Sequence, residues 1–335
     1  MKKGELLIEK VFNIGVIGCS AIAEKSIIPA IAESKLFALI SVGSRSKEKA
    51  EQFARKFNCD AASYEGVLDD KSIDAVYVSL PSGLHHEWGM NVVNSGRHLL
   101  LEKPFADTFE RASEIIDTAR KNNVVAMESL AYVYHPLYVE VARLVKGGEI
   151  GTVRQVESAF GFPFLPESDI RNNRDLGGGA ILDNLVYPLS FCLNLLEQKY
   201  DSCSFHIIQD KARNIDSRGF LRIDWQDVSA SITYGFGFSY RNSFTIWGDK
   251  GILYVDRAFT RPKEMPGEVS IRKNGGEEKS IVVDPANQFS LLLRGFYEKV
   301  AGVDKSGINE GANILRRMKI ISDMHNASEA GQRNS

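Results

Sequence analysis

No apolar run in this 335-residue chain approaches the length a membrane-crossing helix needs, about 18–20 residues. The opening stretch MKKGELLIEKVFNIGVIG is no secretory signal either. Glu5, Glu9 and Lys10 interrupt it, and no small-residue cleavage site follows. Cysteine is scarce. Cys19, Cys59, Cys192 and Cys203 form no CxxC pair and no Cys/His set at zinc spacing, which excludes a zinc ribbon and predicts reduced thiols and no metal site. Charge of one sign is also missing. Lys and Arg number 41 against 43 Asp and Glu, a net charge of −2, so the chain carries no electrostatic footprint for nucleic acid or an acidic membrane surface. Internal repeats and low-complexity segments are absent as well. The expectation is a full-length cytoplasmic protein that acts on a small molecule.

What is present is a change of pattern near residue 127. Before it, apolar strand-like runs alternate with helical spacing. VFNIGVIG, FALISVGSR, IDAVYVSLP, RHLLLEKP and VVAMES read as strands. AEKSIIPAIAES, SKEKAEQFARKFN, HHEWGMNVVNSG and FERASEIIDTARKNN read as helices, and AASYEGVLDDKS as a connecting turn and short helix. Alternation of this kind predicts an α/β fold with a doubly wound parallel sheet over residues 1–127. Residues 128–330 begin with one helix and then show many period-two runs separated by turn residues, among them TVRQVESAFGFPF, VSASITYGFGFSY and NSFTIWGDKGILYVD. Two helices close the chain. The second part is expected to be an α+β domain built on one large, mostly antiparallel sheet.

The first strand ends in Gly18-x-Ser20-x-x-Ala23, a relative of the dinucleotide fingerprint G-x-G-x-x-G/A. Such a turn brings backbone N–H groups and the positive end of a helix up to a pyrophosphate, and Gly18, Ser20, Ala21, Ile22 and Ala23 are assigned to it. Ser20 replaces the middle glycine and offers a hydroxyl instead. At the end of the second strand an NAD site usually carries Asp or Glu. Here Ser44, Arg45, Ser46 and Lys47 stand in that place. Arg45 and Lys47 suit a 2′-phosphate, so NADP is favoured, with NAD possible; the competing view is a solvated helix start.

A lysine is strongly hydrated, yet Lys103 follows the apolar strand end LLLE and is fixed by Pro104. Ligands of open α/β sheets bind beyond the carboxyl ends of strands, so Glu102 and Lys103 face the crevice in this reading; a simple Lys103–Glu102 pair at a domain edge is the alternative. Leu80, Pro81 and His85 follow another strand end and are assigned to the nicotinamide side. The segment DLGGGAILDNLVYP places Asp183 and Tyr187 four apart on a helical face. An ammonium beside a phenol favours the phenolate and lowers its pKa, so Lys103 and Tyr187 would make a tuned general acid. Arg171 and Arg174, just before the glycines, are candidates for a sugar-linked phosphate.

IGVIGCSAIA, SRSKEKAEQFARKF, GRHLLLEKPFA, ESLAYVYHP and LGGGAILDNLVYP resemble the glucose–fructose oxidoreductase / inositol dehydrogenase (Gfo/Idh/MocA) family over essentially the whole chain. The resemblance implies a Rossmann domain, NAD(P)-linked hydride transfer on a sugar-like ring, Lys103 in contact with substrate and nicotinamide, Tyr187 as acid/base and Asp183 beside it. The later stretches look most like reducers of 3-keto groups in nucleotide-linked deoxysugars. A dehydrogenase of a free sugar, inositol or trans-dihydrodiol, and a silent NADP-binding regulator, are the alternatives. Lys103, Arg171, Asp183 and Tyr187 are the expected substrate contacts. An open sheet rich in apolar side chains predicts a homodimer or homotetramer.

Overall fold

The structure, a computed structural model, describes residues 10–197, 199–306 and 308–333. Its first sheet has six strands: β1 (Phe12–Ile17), β2 (Phe37–Gly43), β3 (Asp60–Ala62), β4 (Ala75–Val78), β5 (His98–Leu101) and β6 (Ala126–Glu128). All pair in parallel, in the order β3-β2-β1-β4-β5-β6, the doubly wound arrangement expected from the alternating pattern. Alternate residues serve opposite faces. Val76, Val78, Leu99 and Leu101 join one core, while Ala75, Tyr77 and Leu100 join the other. That double burial is why these strands are apolar throughout, and each fully buried leucine contributes about 1.5–3 kcal/mol.

Helices cover both faces: α1 (Ile28–Glu33), α2 (Lys47–Phe57), α3 (Tyr64–Asp69), α4 (His85–Asn94) and α5 (Phe109–Lys121). Side-chain N-caps open α2 and α5. Ser46 Oγ accepts from Lys49 N at 3.2 Å and Thr108 Oγ1 from Arg111 N at 3.3 Å. Two local expectations change. The stretch read as a connecting turn and short helix carries α3 as expected, but its start belongs to the three-residue edge strand β3. The helix after β1 opens with a π-helical turn, Ala23–Ile27, before α1. Pro29 has no N–H to donate into the helical ladder, and the wider turn lies just ahead of it.

After α6 (Pro136–Lys146) comes β7 (Val153–Phe162), then the broken helix α7 (Ala180–Asp183) and α8 (Val186–Leu196), and then β8 (Ser202–Asp210), β9 (Ile215–Trp225), β10 (Val228–Phe236), β11 (Arg241–Gly248), β12 (Gly251–Asp256), β13 (Gly267–Lys273) and β14 (Glu278–Val283). The eight strands lie in the order β14-β13-β12-β11-β7-β10-β9-β8. Only the β7–β10 pair is parallel. One face packs on α8, where Phe191 stacks on Phe244 with centroids 3.8 Å apart. The other face leaves Phe220, Trp247 and Tyr254 exposed.

The last helices, α9 (Gln288–Val300) and α10 (Glu310–Arg333), return to the beginning of the chain. Leu292, Leu293, Phe296 and Tyr297 of α9 belong to the core of the first sheet, and Phe296 stacks on Phe37 at 5.7 Å. Arg317 of α10 is buried in an ion pair with Glu128 at the end of β6. Among the described residues no single helix is long and apolar enough to cross a membrane.

Candidate active site

Two cavities meet beyond the carboxyl ends of β1, β4 and β5. The first, about 560 Å³, is lined by the turn after β1, by Ser44, Arg45, Ser46 and Lys49 after β2, by Leu80 and Pro81 after β4, and by Glu102 and Lys103 after β5. The segment carrying Leu176 and Gly177 covers it from the other side. Gly18 has φ +107°, and a Cβ there would lie 2.6 Å from Ser79 O, so the turn tolerates no side chain. Ser20 does not reach outward alone: its Oγ accepts from Ala23 N at 3.1 Å and bonds the Ser79 hydroxyl. A glycine-tight turn, a helix start and Arg45 form a cradle that fits the phosphates of a dinucleotide.

Most assigned cofactor residues share this cavity: Gly18, Ser20, Ala21, Ile22, Ser44, Arg45, Leu80, Pro81, Glu102 and Lys103. Ala23 is buried beneath the turn. Lys47 lies away from it, largely exposed and 4.0 Å from Glu51; Lys49, two residues further on, lines the cavity in its place. His85 sits behind the wall rather than in it. Its ring nitrogens lie 2.7 Å from Pro104 O and 2.8 Å from Leu80 O, and burial holds its pKa below the ordinary value. It ties the segments after β4 and β5 together. His86 instead meets Glu114 at 2.7 Å on the surface.

Lys103 stands where the two cavities join. Its Nζ donates to Asp183 Oδ1 at 2.6 Å and to Asp183 O at 3.0 Å, and lies 5.1 Å from the centre of the Tyr187 ring. Burial works against the ammonium, but Asp183 and Tyr187 outweigh it and raise the pKa. Asp183 also accepts from Arg171 Nε at 2.9 Å, and Arg171 reaches back to Asp169. Burial opposes the Asp183 carboxylate, yet Lys103 and Arg171 together lower its pKa. Asp183 in turn raises that of Arg171. Glu102 lines both cavities, accepts from Tyr77 OH at 2.6 Å, and has its pKa raised by burial.

Tyr187 departs from the sequence reading in one respect. Its pKa is pushed up to about 12, not down. Burial is the larger effect, and the lowering by Lys103 offsets only part of it while Glu102 and Asp183 add to the rise. The helix is also not continuous. It breaks at Asn184–Leu185 and bends by 45°, so Asp183 ends one piece and Tyr187 lies in the first turn of the next. Both still face the same cavity, because the break lies between them. Gly177, at φ +77°, lets this segment approach the first sheet: Ser82 Oγ donates to Gly177 O at 2.8 Å, and a Cβ on Gly177 would lie 2.5 Å from that Oγ.

The second cavity, about 490 Å³, opens on the far side of Lys103 and Tyr187. Tyr132, Phe160, Phe162, Tyr240, Phe259 and Gln288 are among its walls. Tyr240 and Gln288 lie in the later stretches that carry the resemblance, but beyond that and an aromatic period-two run no sequence signal singled them out. Arg174 lies outside both cavities, in a polar depression with Glu167 and Arg213.

The family model described as oxidoreductase family, NAD-binding Rossmann fold, matches residues 12–130, and that of the GFO/IDH/MocA C-terminal domain matches residues 138–254. The chain belongs to the Gfo/Idh/MocA family. It is an NAD(P)-dependent oxidoreductase of the class that acts on CH–OH and C=O groups. The chain is 31% identical over 330 residues to a dTDP-3,4-didehydro-2,6-dideoxy-alpha-D-glucose 3-reductase of Saccharopolyspora spinosa, covering 96% of this chain and 99% of that one. It is 37% identical over 323 residues to D-xylose 1-dehydrogenase (NADP(+)) 2 of Haloferax volcanii, covering 95% and 97%. Among solved structures, KijD10, a 3-ketoreductase from Actinomadura kijaniata in complex with NADP and TDP-benzene, superposes with a TM-score of 0.88 at 28% identity, covering 93% of this chain and 96% of that one.

Proposed function

We propose that this Gfo/Idh/MocA oxidoreductase reduces a keto group, at C3 of the ring, in a nucleotide-linked deoxysugar, with NADPH in the first cavity and the sugar in the second. The observation that carries the reading is the placement of Lys103 and Asp183 in the lining of both cavities, with Tyr187 beside them in the second. The near-full-length likeness to 3-reductases supports the substrate class. Bound NADPH supplies hydride from its nicotinamide C4 to the carbonyl carbon. The chain's own groups deal with the oxygen. Lys103, held by Asp183, presents positive charge to the developing alkoxide, and Tyr187 donates its proton to it. A phenol held protonated by burial still gives that proton readily, since an alkoxide is a much stronger base than a phenolate. Arg171 holds Asp183, and through it Lys103, in place.

The test is a panel of 3-keto nucleotide sugars, free pentoses and trans-diols assayed with NADPH and NADP+. Parent, Lys103→Ala and Tyr187→Phe proteins are compared. Each variant is expected to lose about 10²–10⁴-fold in kcat on the keto nucleotide sugar. Parental rates in both would remove the proposed acid. The likeness to the xylose dehydrogenase supports a second reading, oxidation of a free sugar with Tyr187 as base, and turnover of the pentoses alone would establish it. The same protein is proposed to be a homodimer or homotetramer through the exposed face of the second sheet, where Phe220, Trp247 and Tyr254 lie. Sedimentation showing only monomer at micromolar concentration would remove that assembly.

A further inference from the structure

The residue that delivers the proton in the proposed reaction sits at a weak point of its own helix. Tyr187 lies in the first turn of α8, directly before Pro188. Pro188 has no N–H to close a helical bond onto Asn184 O, and the Tyr187 N–H reaches that carbonyl only at 3.4 Å. The ring is packed rather than tied. Phe160 meets it edge-on with centroids 5.1 Å apart, and Phe259 stacks on it at 6.1 Å. Apolar burial is non-directional, whereas proton transfer needs the donor within hydrogen-bond reach of the oxygen.

A directional tie comes from outside the helix. Ser190 Oγ donates to Tyr187 O at 2.7 Å. A serine hydroxyl has one hydrogen, so the Tyr132 hydroxyl, 2.7 Å from Ser190 Oγ, is the donor to it. The chain runs from the Tyr132 hydroxyl through the Ser190 hydroxyl to the Tyr187 carbonyl. Ser190 is fully buried and Tyr132 only 2% exposed, so water does not compete for these bonds. Tyr132 lines the second cavity, but its hydroxyl is engaged by Ser190.

Tyr132 belongs to the opposite side of the site. It lies in a short helical turn, Ala131–Tyr134, just after β6. Ser129 N donates to Leu101 O at 2.7 Å, and Glu128 accepts from Phe105 N at 2.8 Å. The segment is thereby stitched to the strand end and loop that carry Lys103. The two hydroxyls join that side to the helix of Tyr187.

We propose that Tyr132 is a positioning residue: acting through Ser190, it fixes the Tyr187 backbone, and with it the phenol, in register with Lys103. The inference rests on the reading of Tyr187 as the acid.

The test follows single-turnover hydride transfer and steady-state constants on the keto nucleotide sugar with NADPH. Parent, Tyr132→Phe, Ser190→Ala, Tyr187→Phe and the double variant Tyr132→Phe/Tyr187→Phe are compared, each first checked as folded by urea unfolding. Tyr132→Phe keeps the ring and removes only the hydroxyl. It and Ser190→Ala are each expected to slow hydride transfer about tenfold, because small misplacements of a reacting group are costly. The loss falls on kcat, with KM and the NADPH dissociation constant within about twofold of the parent. In the Tyr187→Phe background, Tyr132→Phe is expected to cause no further loss, since its effect passes through the phenol. Losses that multiply in the double variant would assign Tyr132 a general structural role and overturn the inference. A loss confined to KM would overturn it too. Parental hydride transfer in Tyr132→Phe while Tyr187→Phe is slow overturns it and leaves the acid standing. Parental rates in Tyr187→Phe remove the acid itself, and the positioning role with it.

Discussion

Lys103 shows how one residue takes its meaning from its neighbours. Its strand end and its proline pointed to the crevice, and the structure places it there, but its direct partner is Asp183 and not the Tyr187 hydroxyl. The phenol is left to burial, which fixes the pH behaviour. With Tyr187 protonated up to about pH 12, single-turnover reduction should show no alkaline limb from this group near the ordinary tyrosine value of about 10. A limb at pH 9–10 that disappears in Tyr187→Phe would contradict this. Asp183 has the opposite sign. Its folded pKa is lowered, so its pairing adds stability that is complete above the ordinary carboxylate range, about pH 4, and is lost as pH falls through the folded value. Urea unfolding followed from pH 6 to pH 3 should therefore lose stability less steeply in Asp183→Asn than in the parent. Arg45 lines the cofactor cavity where an acid would stand in an NAD site. Arg45→Ala should weaken NADPH more than NADH by fluorescence titration, and equal losses would remove the 2′-phosphate contact.

Among the elements, the broken helix that carries Asp183 and Tyr187 depends on Asn184. This side chain is fully buried, and its Nδ2 donates to Gly235 O at 3.0 Å, anchoring the break on β10. Asn184→Ala should cost about 1–3 kcal/mol in urea unfolding and lower kcat as well, because the two flanking pieces lose their common tether. Loss of stability with kcat unchanged would show that the tether does not position the site. Elements with strong periodicity or a cap were readable from the chain: the other five strands of the first sheet beside β3, α2 behind Ser46 and α5 behind Thr108. Those set by tertiary contact were not. The strand β3 has three residues and exists because β2 offers an edge. The π turn and the bend at Asn184 answer to local hydrogen bonding that no periodicity reports. The site divides in the same way. Lys103, Asp183 and Tyr187 stood beside glycines and prolines that marked them, whereas Tyr240 and Gln288 lie far apart in the chain, and only the fold brings them to one cavity.

At the scale of the whole molecule, the two sheets are joined by buried polar as well as apolar contact. Glu128 ends β6; one of its carboxylate oxygens accepts from Phe105 N at 2.8 Å, beside the Lys103 loop, and the other pairs with Arg317 of α10. Both residues of that pair are only 2% exposed. Removing one partner strands a charge in the core, so Arg317→Met should lower stability by about 3–5 kcal/mol in denaturant unfolding, and a change below 1 kcal/mol would show that the pair is dispensable. The packing of α9 against β1 and β2 has a consequence for biosynthesis. By the time β6 leaves the ribosome every strand of the nucleotide sheet has been made, yet Phe12 and Phe37 lack their aromatic partners on α9 until Phe296 and Tyr297 emerge. The nascent amino-terminal half therefore carries an incompletely covered aromatic side until most of the polypeptide has been translated.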